Sequence, residues 1–173
     1  GPNCLGLYSA PVDFDGLLSG FIRKGSIAFV SQSGNLTRSL AFPGVKRGLG
    51  FSYIISLGNT SDLQFHEVIR YLRDDEYTNV IALFIEGLTD GREFMREVAE
   101  TVKVKPVVVM KAGRTDVGAR AVSSHTGSLA GSDEVYDAAF RQCGAIRVDN
   151  FFEFNSTLLA LSACKIPKGN RMG

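Results

Sequence analysis

The feature that most constrains the fold is a regular alternation of short apolar runs with helical patterns along most of the chain. Residues 26–30, 51–56, 80–85, 107–110 and 145–148 form five such runs. Runs this short and this apolar are typical of strands buried on both faces of a parallel sheet. The helical patterns between them indicate helices that cover both faces. We therefore predict the α/β class, with a flavodoxin-like, doubly wound, five-stranded parallel sheet.

Composition narrows the classes of function. The chain has 173 residues, the size of one ordinary domain, and a formal net charge of +1. So small a charge creates no global field for a nucleic acid or a membrane surface, and no apolar run reaches the ~18 residues of a membrane span. Cys4, Cys143 and Cys164 lie far apart, without a Cys-x-x-Cys pair. We therefore expect reduced thiols, a cytoplasmic protein and no metal site.

Several local patterns add expectations. The segment 1–20 is expected to wrap the surface, and Pro43 to kink the first helix or end it near Ala41. Ser61 stands three residues before Gln64, a capping-box spacing for the second helix. A further helix is expected to begin at Ser132 and to turn these side chains toward the core: Val135, Ala138, Ala139 and Phe140.

Polar loops follow the strands, and a parallel sheet brings such loops to one edge. The loop Ser31-Gln32-Ser33-Gly34 combines two hydroxyls, a flexible glycine and the free N–H groups of a helix start. Those donors and the helix dipole suit a phosphate or a carboxylate. A serine N-cap without a ligand explains the same pattern.

Two other loops carry titratable groups. Glu86 follows the strand at 80–85, where it either enters a site or starts the next turn as a solvated acid. The segment 111–131 contains three cations, four glycines that permit close approach of a ligand, and His125 among serines and threonines. His125 is either functional or a loop histidine bonded to its neighbours, whereas His66 is expected on a helix surface. The other residues of interest in this segment are Lys111, Arg114, Arg120, Gly113, Gly118, Gly127 and Gly131.

Phosphoryl chemistry would use these loops together. A neutral imidazole can attack a phosphoryl group and form a phosphohistidine. A carboxylate on the other ring nitrogen fixes the tautomer and stabilises the positive charge. Helix N-termini and hydroxyls can hold the phosphoryl oxygens. His125, Glu86 and the serine pair Ser31/Ser33 could fill these three roles.

The chain resembles a known family, the ADP-forming acyl-CoA synthetases (acetate–CoA ligases, ADP-forming), which are related to the succinyl-CoA synthetase alpha subunit. The resemblance spans nearly the whole chain, and the run from Lys111 to Gly131 is its most specific part. The segments that carry it, in order, are GPNCLG at 1–6, SQSG at 31–34, SLGN at 56–59, IEG at 85–87, KAGR at 111–114 and SSHTGSLAG at 123–131.

The resemblance implies a reaction and roles. The family converts acyl-CoA, phosphate and ADP to acid, CoA and ATP through an acyl phosphate and a phosphohistidine on a swinging loop. His125 matches that histidine and Glu86 the carboxylate that orients it. Asn3 matches a residue near the acyl-CoA and phosphate site. The phosphate-holding residues by this resemblance are Ser31, Ser33, Gly34 and, at a second helix start, Gly127.

The resemblance also implies a division of the chain. Residues 1–20 would be the junction from a missing CoA-binding domain, residues 21–165 the ligase-CoA domain, and residues 166–173 a linker to a missing following domain. The implied partners are the CoA-binding domain, an ATP-grasp domain or subunit and a small-molecule acid, with Mg²⁺ bound beside the nucleotide in the missing domains. A fragment of this extent is not expected to turn over alone.

Two other functions compete with this one. Related domains are fused to lysine acetyltransferases, where the chain would be a non-catalytic acyl-CoA-sensing module. The presence of both His125 and Glu86 argues against that reading. A flavodoxin-like binder of nucleotide or flavin is the third alternative, and it leaves Glu86 and the His125 loop unexplained.

Overall fold

Seven strands and five helices build the part of the chain that the structure, a computed structural model, describes: residues 2–17, 22–114, 118 and 132–164. The strands are β1 Leu7–Ser9, β2 Phe14–Asp15, β3 Lys24–Ser31, β4 Phe51–Ser56, β5 Val80–Ile85, β6 Val107–Lys111 and β7 Ile146–Val148. The helices are α1 Gly34–Lys46, α2 Phe65–Asp74, α3 Gly91–Thr101, α4 Asp133–Cys143 and α5 Phe151–Ala163.

The strands form one sheet in the order β2-β1-β4-β3-β5-β6-β7. The five from β4 to β7 in that order are parallel, which confirms the predicted doubly wound, flavodoxin-like sheet. The expectation that residues 1–20 only wrap the surface was wrong. Their hairpin extends the sheet, with β1 antiparallel to both β2 and β4. Strands of two and three residues are too short to show a period in the sequence.

Two apolar cores lie on the two faces of the sheet. Phe154 and Leu158 of α5 pack on one face with Phe29. Phe65, Phe94 and Phe140, from α2, α3 and α4, pack on the other. Successive residues of β3 and β5 supply both cores in turn, as the alternation of side chains along a strand requires. The sheet is thus held rigid between two layers, and its carboxyl edge carries the loops.

The start of α2 and the end of α1 differ from the predictions. The N-cap of α2 is Gln64, and its backbone N–H donates to the Glu67 carboxylate at 2.9 Å. The capping pair therefore lies three residues after the predicted Ser61–Gln64 pair, and it places the acid where the helix dipole favours it. Helix α1 runs past Ala41 to Lys46 with Pro43 inside. Pro43 is exposed and lies in the last turn; its missing N–H takes one i→i−4 hydrogen bond from the helix, which ends three residues later.

The inward face of α4 also differs from the prediction. Val135 is 67% exposed and Ala138 is exposed as well. Phe140 is buried as predicted, and the inward stripe continues from it through Tyr136 and Cys143, at spacings of four and three residues. The larger aromatic side chains bury more apolar surface than Val135 and Ala138 would, so they set the rotation of the helix.

Candidate functional site

The carboxyl edge of the parallel sheet gathers the loops in which the site residues were predicted. The strand register pairs Ser31 with Ser56 on one side and with Phe84 on the other. One strand further on, Ile85 pairs with Lys111. The loops after β3, β4, β5 and β6 therefore begin next to one another, and the structure brings Ser31, Glu86 and Lys111 to one edge.

The loop after β3 is a helix start held by its own serines. The buried Ser31 hydroxyl accepts from the Ser33 N–H at 3.1 Å and donates to the Ser33 carbonyl at 3.0 Å. Ser33 is the N-cap of α1, and its hydroxyl oxygen accepts from the Leu36 N–H at 3.3 Å. Residues 34–37 carry no acidic side chain, so the positive end of the helix dipole has no carboxylate of its own turn to meet it. This arrangement suits an anion, and phosphate binding by Ser31, Ser33 and Gly34 stays a prediction.

Gln32 ties the first loop to the loop that carries Glu86. Its side-chain carbonyl oxygen accepts from the Glu86 N–H at 2.7 Å and from the Gly87 N–H at 3.0 Å. Glu86 itself is 8% exposed. The carboxylate is therefore carried on a backbone fixed from the neighbouring strand. No role was predicted for Gln32, whose only signal in the sequence is an amide between two serines at a strand end.

Asn3 lies beside the turn that follows β4. Its side-chain amide donates to the Asn59 side-chain oxygen at 2.8 Å, and the Pro2 carbonyl accepts from the Asn59 N–H at 3.1 Å. A Cβ added at Gly34 would lie 3.7 Å from the Asn3 carbonyl oxygen, so Asn3 is close to the start of α1. Gly58 makes this approach possible: its φ is +58°, and a Cβ there would lie 2.2 Å from the Pro2 oxygen.

The positive charge that was predicted for the long loop is partly neutralised. Arg114 pairs with Asp149 at 2.5 Å and lies 3.7 Å from Asp133, and these carboxylates raise the pKa of Arg114. Arg147 pairs with the same Asp133 at 2.5 Å. The three ion pairs border a cavity of about 780 Å³ that is lined by both acidic and basic side chains. Such a lining does not select an anion by charge.

Some predicted residues lie outside the described ranges. They are His125, Arg120, Gly127 and Gly131, together with the segment 166–173. Among the residues that are described, no group of three or more His, Cys, Asp or Glu side chains could hold a metal ion. Nor is any helix in those ranges long and apolar enough to cross a membrane.

The fold and this edge define the class: a doubly wound α/β domain with a helix N-terminus, and an acidic residue on a fixed backbone, at the carboxyl ends of adjacent parallel strands. Within that class, the chain belongs to the family described as the succinyl-CoA ligase like flavodoxin domain, whose sequence profile matches residues 24–161. The family resemblance seen in the sequence is thereby confirmed.

Two of the similar proteins are ADP-forming acetate–CoA ligases. The chain is 41% identical over 172 residues to the alpha subunit of acetate–CoA ligase [ADP-forming] II from Pyrococcus furiosus, covering 99% of this chain and 37% of that subunit. It is 46% identical over 163 residues to acetate–CoA ligase [ADP-forming] I from Archaeoglobus fulgidus, covering 92% of this chain and 24% of that protein. The chain thus spans about a quarter to two-fifths of these relatives.

A solved structure is similar over nearly the whole chain. It is the dinucleotide forming acetyl-coenzyme A synthetase 1 of Ca. Korarchaeum cryptofilum, in complex with phosphate and ADP. The TM-score is 0.93 at 38% identity, and the match covers 98% of this chain and 37% of that one.

Proposed function

We propose that this chain is the phosphohistidine-carrying domain of an ADP-forming acyl-CoA ligase. The observation that carries the proposal is the Gln32 clamp, which holds the Glu86 backbone beside the capped start of α1. A carboxylate carried on a fixed backbone, next to an anion-suited helix start, is what transfer through a histidine needs. Family membership and the names of the ligase relatives support it.

In the proposed reaction, phosphate displaces CoA from the acyl-CoA and an acyl phosphate forms. A ring nitrogen of His125 then attacks phosphorus, a new N–P bond forms, and the P–O bond to the acyl group breaks to release the acid. A terminal oxygen of ADP attacks the same phosphorus next, so that the N–P bond breaks and ATP forms. Each phosphoryl transfer is in line, and no atom is left over.

Several residues of this chain have separate roles in the proposed reaction. Glu86 accepts the N–H of the second ring nitrogen of His125, which fixes the tautomer and stabilises the phosphorylated ring. Ser33, Gly34 and Gly127 hold phosphoryl oxygens at helix starts. The buried Ser31 shapes the first of these turns, and Asn3 borders the acyl-CoA and phosphate side.

Other domains complete the proposed enzyme. Acyl-CoA is supplied by a CoA-binding domain, and ADP by an ATP-grasp domain or subunit that also holds Mg²⁺ with the nucleotide. Mg²⁺ neutralises phosphate charge there. The acid is a small molecule. Relatives in which this chain covers only 24–37% of the length leave room for such domains.

Phosphoryl labelling tests the proposal. The full-length protein that carries this chain is incubated with acetyl-CoA and radioactive phosphate, and acid-labile, alkali-stable label on the protein is counted. His125→Asn should lose the label, and the matched control His66→Asn, at the other histidine of these 173 residues, should keep it. Equal labelling of His125→Asn and wild type would refute the phosphohistidine role. Acyl-CoA binding without any label would favour the sensing module instead.

A further inference from the structure

Lys111 ends β6 with its side chain inside the protein, only 4% exposed. The register pairs it with Ile85, the residue before Glu86, so adjacent strands deliver Lys111 and Glu86 to one edge. The Ala112 N–H donates to the Ile85 carbonyl at 2.9 Å, and the Ala112 carbonyl accepts from the Lys111 ammonium at 2.5 Å. The ammonium is thereby tied to the strand pair that ends at Glu86.

An aromatic ring joins the same ammonium to the loop of residues 86–88. Lys111 Nζ lies 4.6 Å from the centroid of the Tyr136 ring. The Tyr136 hydroxyl oxygen accepts from the Leu88 N–H at 3.3 Å. The ring therefore contacts the cation through its face and the loop through its hydroxyl, and the cation–π contact holds both in one arrangement.

The charged groups around the Lys111 ammonium do not compensate fully for the cost of burying it. Burial lowers the pKa of Lys111, the charge of Asp133 raises it, that of Arg147 lowers it and that of Glu86 raises it. Asp133 is already bonded to Arg147 at 2.5 Å. A buried ammonium has three N–H donors, and in the described part of the chain one of them meets a carbonyl. Such a group is costly to bury, and a charged group held at that cost beside an acid is typical of functional sites.

We propose that Lys111 is a positioning residue that acts through Glu86. Through the Tyr136 ring its ammonium holds the loop of residues 86–88, and its charge balances that of Glu86 while that carboxylate receives a hydrogen bond from His125. The inference rests on the proposed function, since Lys111 has this task only if Glu86 orients the histidine.

The test compares rates of His125 labelling in the full-length protein. Lys111→Gln keeps a donor for the Ala112 carbonyl and removes the charge. We expect labelling to slow about tenfold, with the KM for phosphate unchanged, and Lys111→Arg to restore most of the rate. Lys105 is the matched control before the other end of β6. Its ammonium donates to the Leu72 carbonyl at 2.8 Å and burial lowers its pKa too, yet Lys105→Gln should leave the rate unchanged.

Two further measurements separate positioning from a merely structural role. In a Glu86→Gln background, Lys111→Gln should add less than twofold, because the residue it acts through is already gone. The wild-type rate should also fall at a pH below the ordinary lysine range, as Lys111 loses its proton, whereas Lys111→Arg should hold its rate there. The arginine measurement applies even where Lys111→Gln does not fold.

The experiments distinguish a failure of the proposed function from a failure of the Lys111 inference alone. Wild-type protein without label at His125 refutes the proposed function and this inference with it. Label at His125 together with a wild-type rate in Lys111→Gln refutes the inference alone. A full tenfold effect of Lys111→Gln in the Glu86→Gln background, or the same alkaline fall in Lys111→Arg as in wild type, also overturns it.

Discussion

At the scale of single residues, the site depends on side chains that hold backbone more than on side chains that face a ligand. Gln32 is the clearest case, since one carbonyl oxygen meets two N–H groups of the neighbouring loop. The Ser31 hydroxyl holds the backbone of its own turn, since it accepts from the Ser33 N–H and donates to the Ser33 carbonyl. The precision expected of the Glu86 carboxylate therefore comes from residues whose own roles are not chemical.

Replacement of Gln32 by Leu tests this. The change leaves the Glu86 and Gly87 N–H groups without their acceptor, at about 1–3 kcal/mol for a buried donor. We expect a loss of about 2–4 kcal/mol in the free energy of unfolding, measured by urea denaturation. Gln142→Leu, at an exposed position of α4, should change it by at most about 0.5 kcal/mol. Equal effects of the two substitutions would contradict the clamp.

Prediction from the sequence placed Glu86 and Ser33 correctly in the fold and missed the residues that support them. Glu86 and Ser33 stand at strand ends, where topology alone brings loops together, and both lie at the predicted edge. Gln32 and Tyr136 act through contacts with residues 54 and 48 positions away. Such pairings depend on the strand order, which local pattern does not contain.

At the scale of the elements, the strength of a pattern decided whether it could be predicted. The five parallel strands were predicted because each lies in a mostly apolar run of four to six residues that alternates with a helical pattern. The β1–β2 hairpin was missed because it is too short to show a period. The predicted inward face of α4 was right at Phe140 and wrong at Val135 and Ala138, because Tyr136 and Phe140 bury more apolar surface than those smaller side chains.

The ion pairs between α2 and α3 give a prediction at the scale of the elements. Glu97 of α3 is buried and bonds Arg70 and Arg73 of α2, both at 3.0 Å, and Arg96 at 3.2 Å. Burial raises the pKa of Glu97, but the arginine hydrogen bonds and charges together outweigh it, so the pKa lies below the ordinary 4.5. The ionised form is thus stabilised by folding. Its contribution is present above about pH 4.5 and is lost as the pH falls through the lowered pKa.

Glu97→Gln should therefore reduce the free energy of unfolding by about 1–3 kcal/mol at pH 7, and the difference from wild type should shrink below pH 4.5. Denaturant titrations between pH 3 and 7 measure it. Glu100→Gln breaks an exposed pair with Lys103 and should cost at most about 0.5 kcal/mol. A difference for Glu97→Gln that stays constant down to pH 3 would contradict the assignment.

At the scale of the whole molecule, one sheet serves two purposes that depend on each other. The strands are shared by both cores, so either helical layer can be lost only by exposing apolar residues of β3 and β5. The same strands end in the Ser33 and Glu86 loops. A disturbance of either core should therefore reach the site through the sheet, and the described part of the chain should unfold as one unit.

Substitutions in the apolar cores on the two faces of the sheet test whether the chain unfolds as one cooperative unit. Phe94 packs against Phe65 and Phe140 on one face, Phe154 packs against Phe29 on the other, and both are 1% exposed. Phe94→Leu and Phe154→Leu should each lower the free energy of unfolding by about 1–2 kcal/mol. Phe152→Leu, at a position 69% exposed, is the matched control and should cost at most about 0.5 kcal/mol.

The double variant decides between one unit and two. If the sheet couples the layers, urea unfolding followed by circular dichroism and by tyrosine fluorescence should show one coincident transition in every variant, since both cores are lost together. The two costs should add within about 0.5 kcal/mol, because the rings lie on opposite faces and share no contact partner. Two separated transitions, with each substitution moving only one of them, would mean that the layers unfold independently and that the sheet does not transmit core packing to the carboxyl edge.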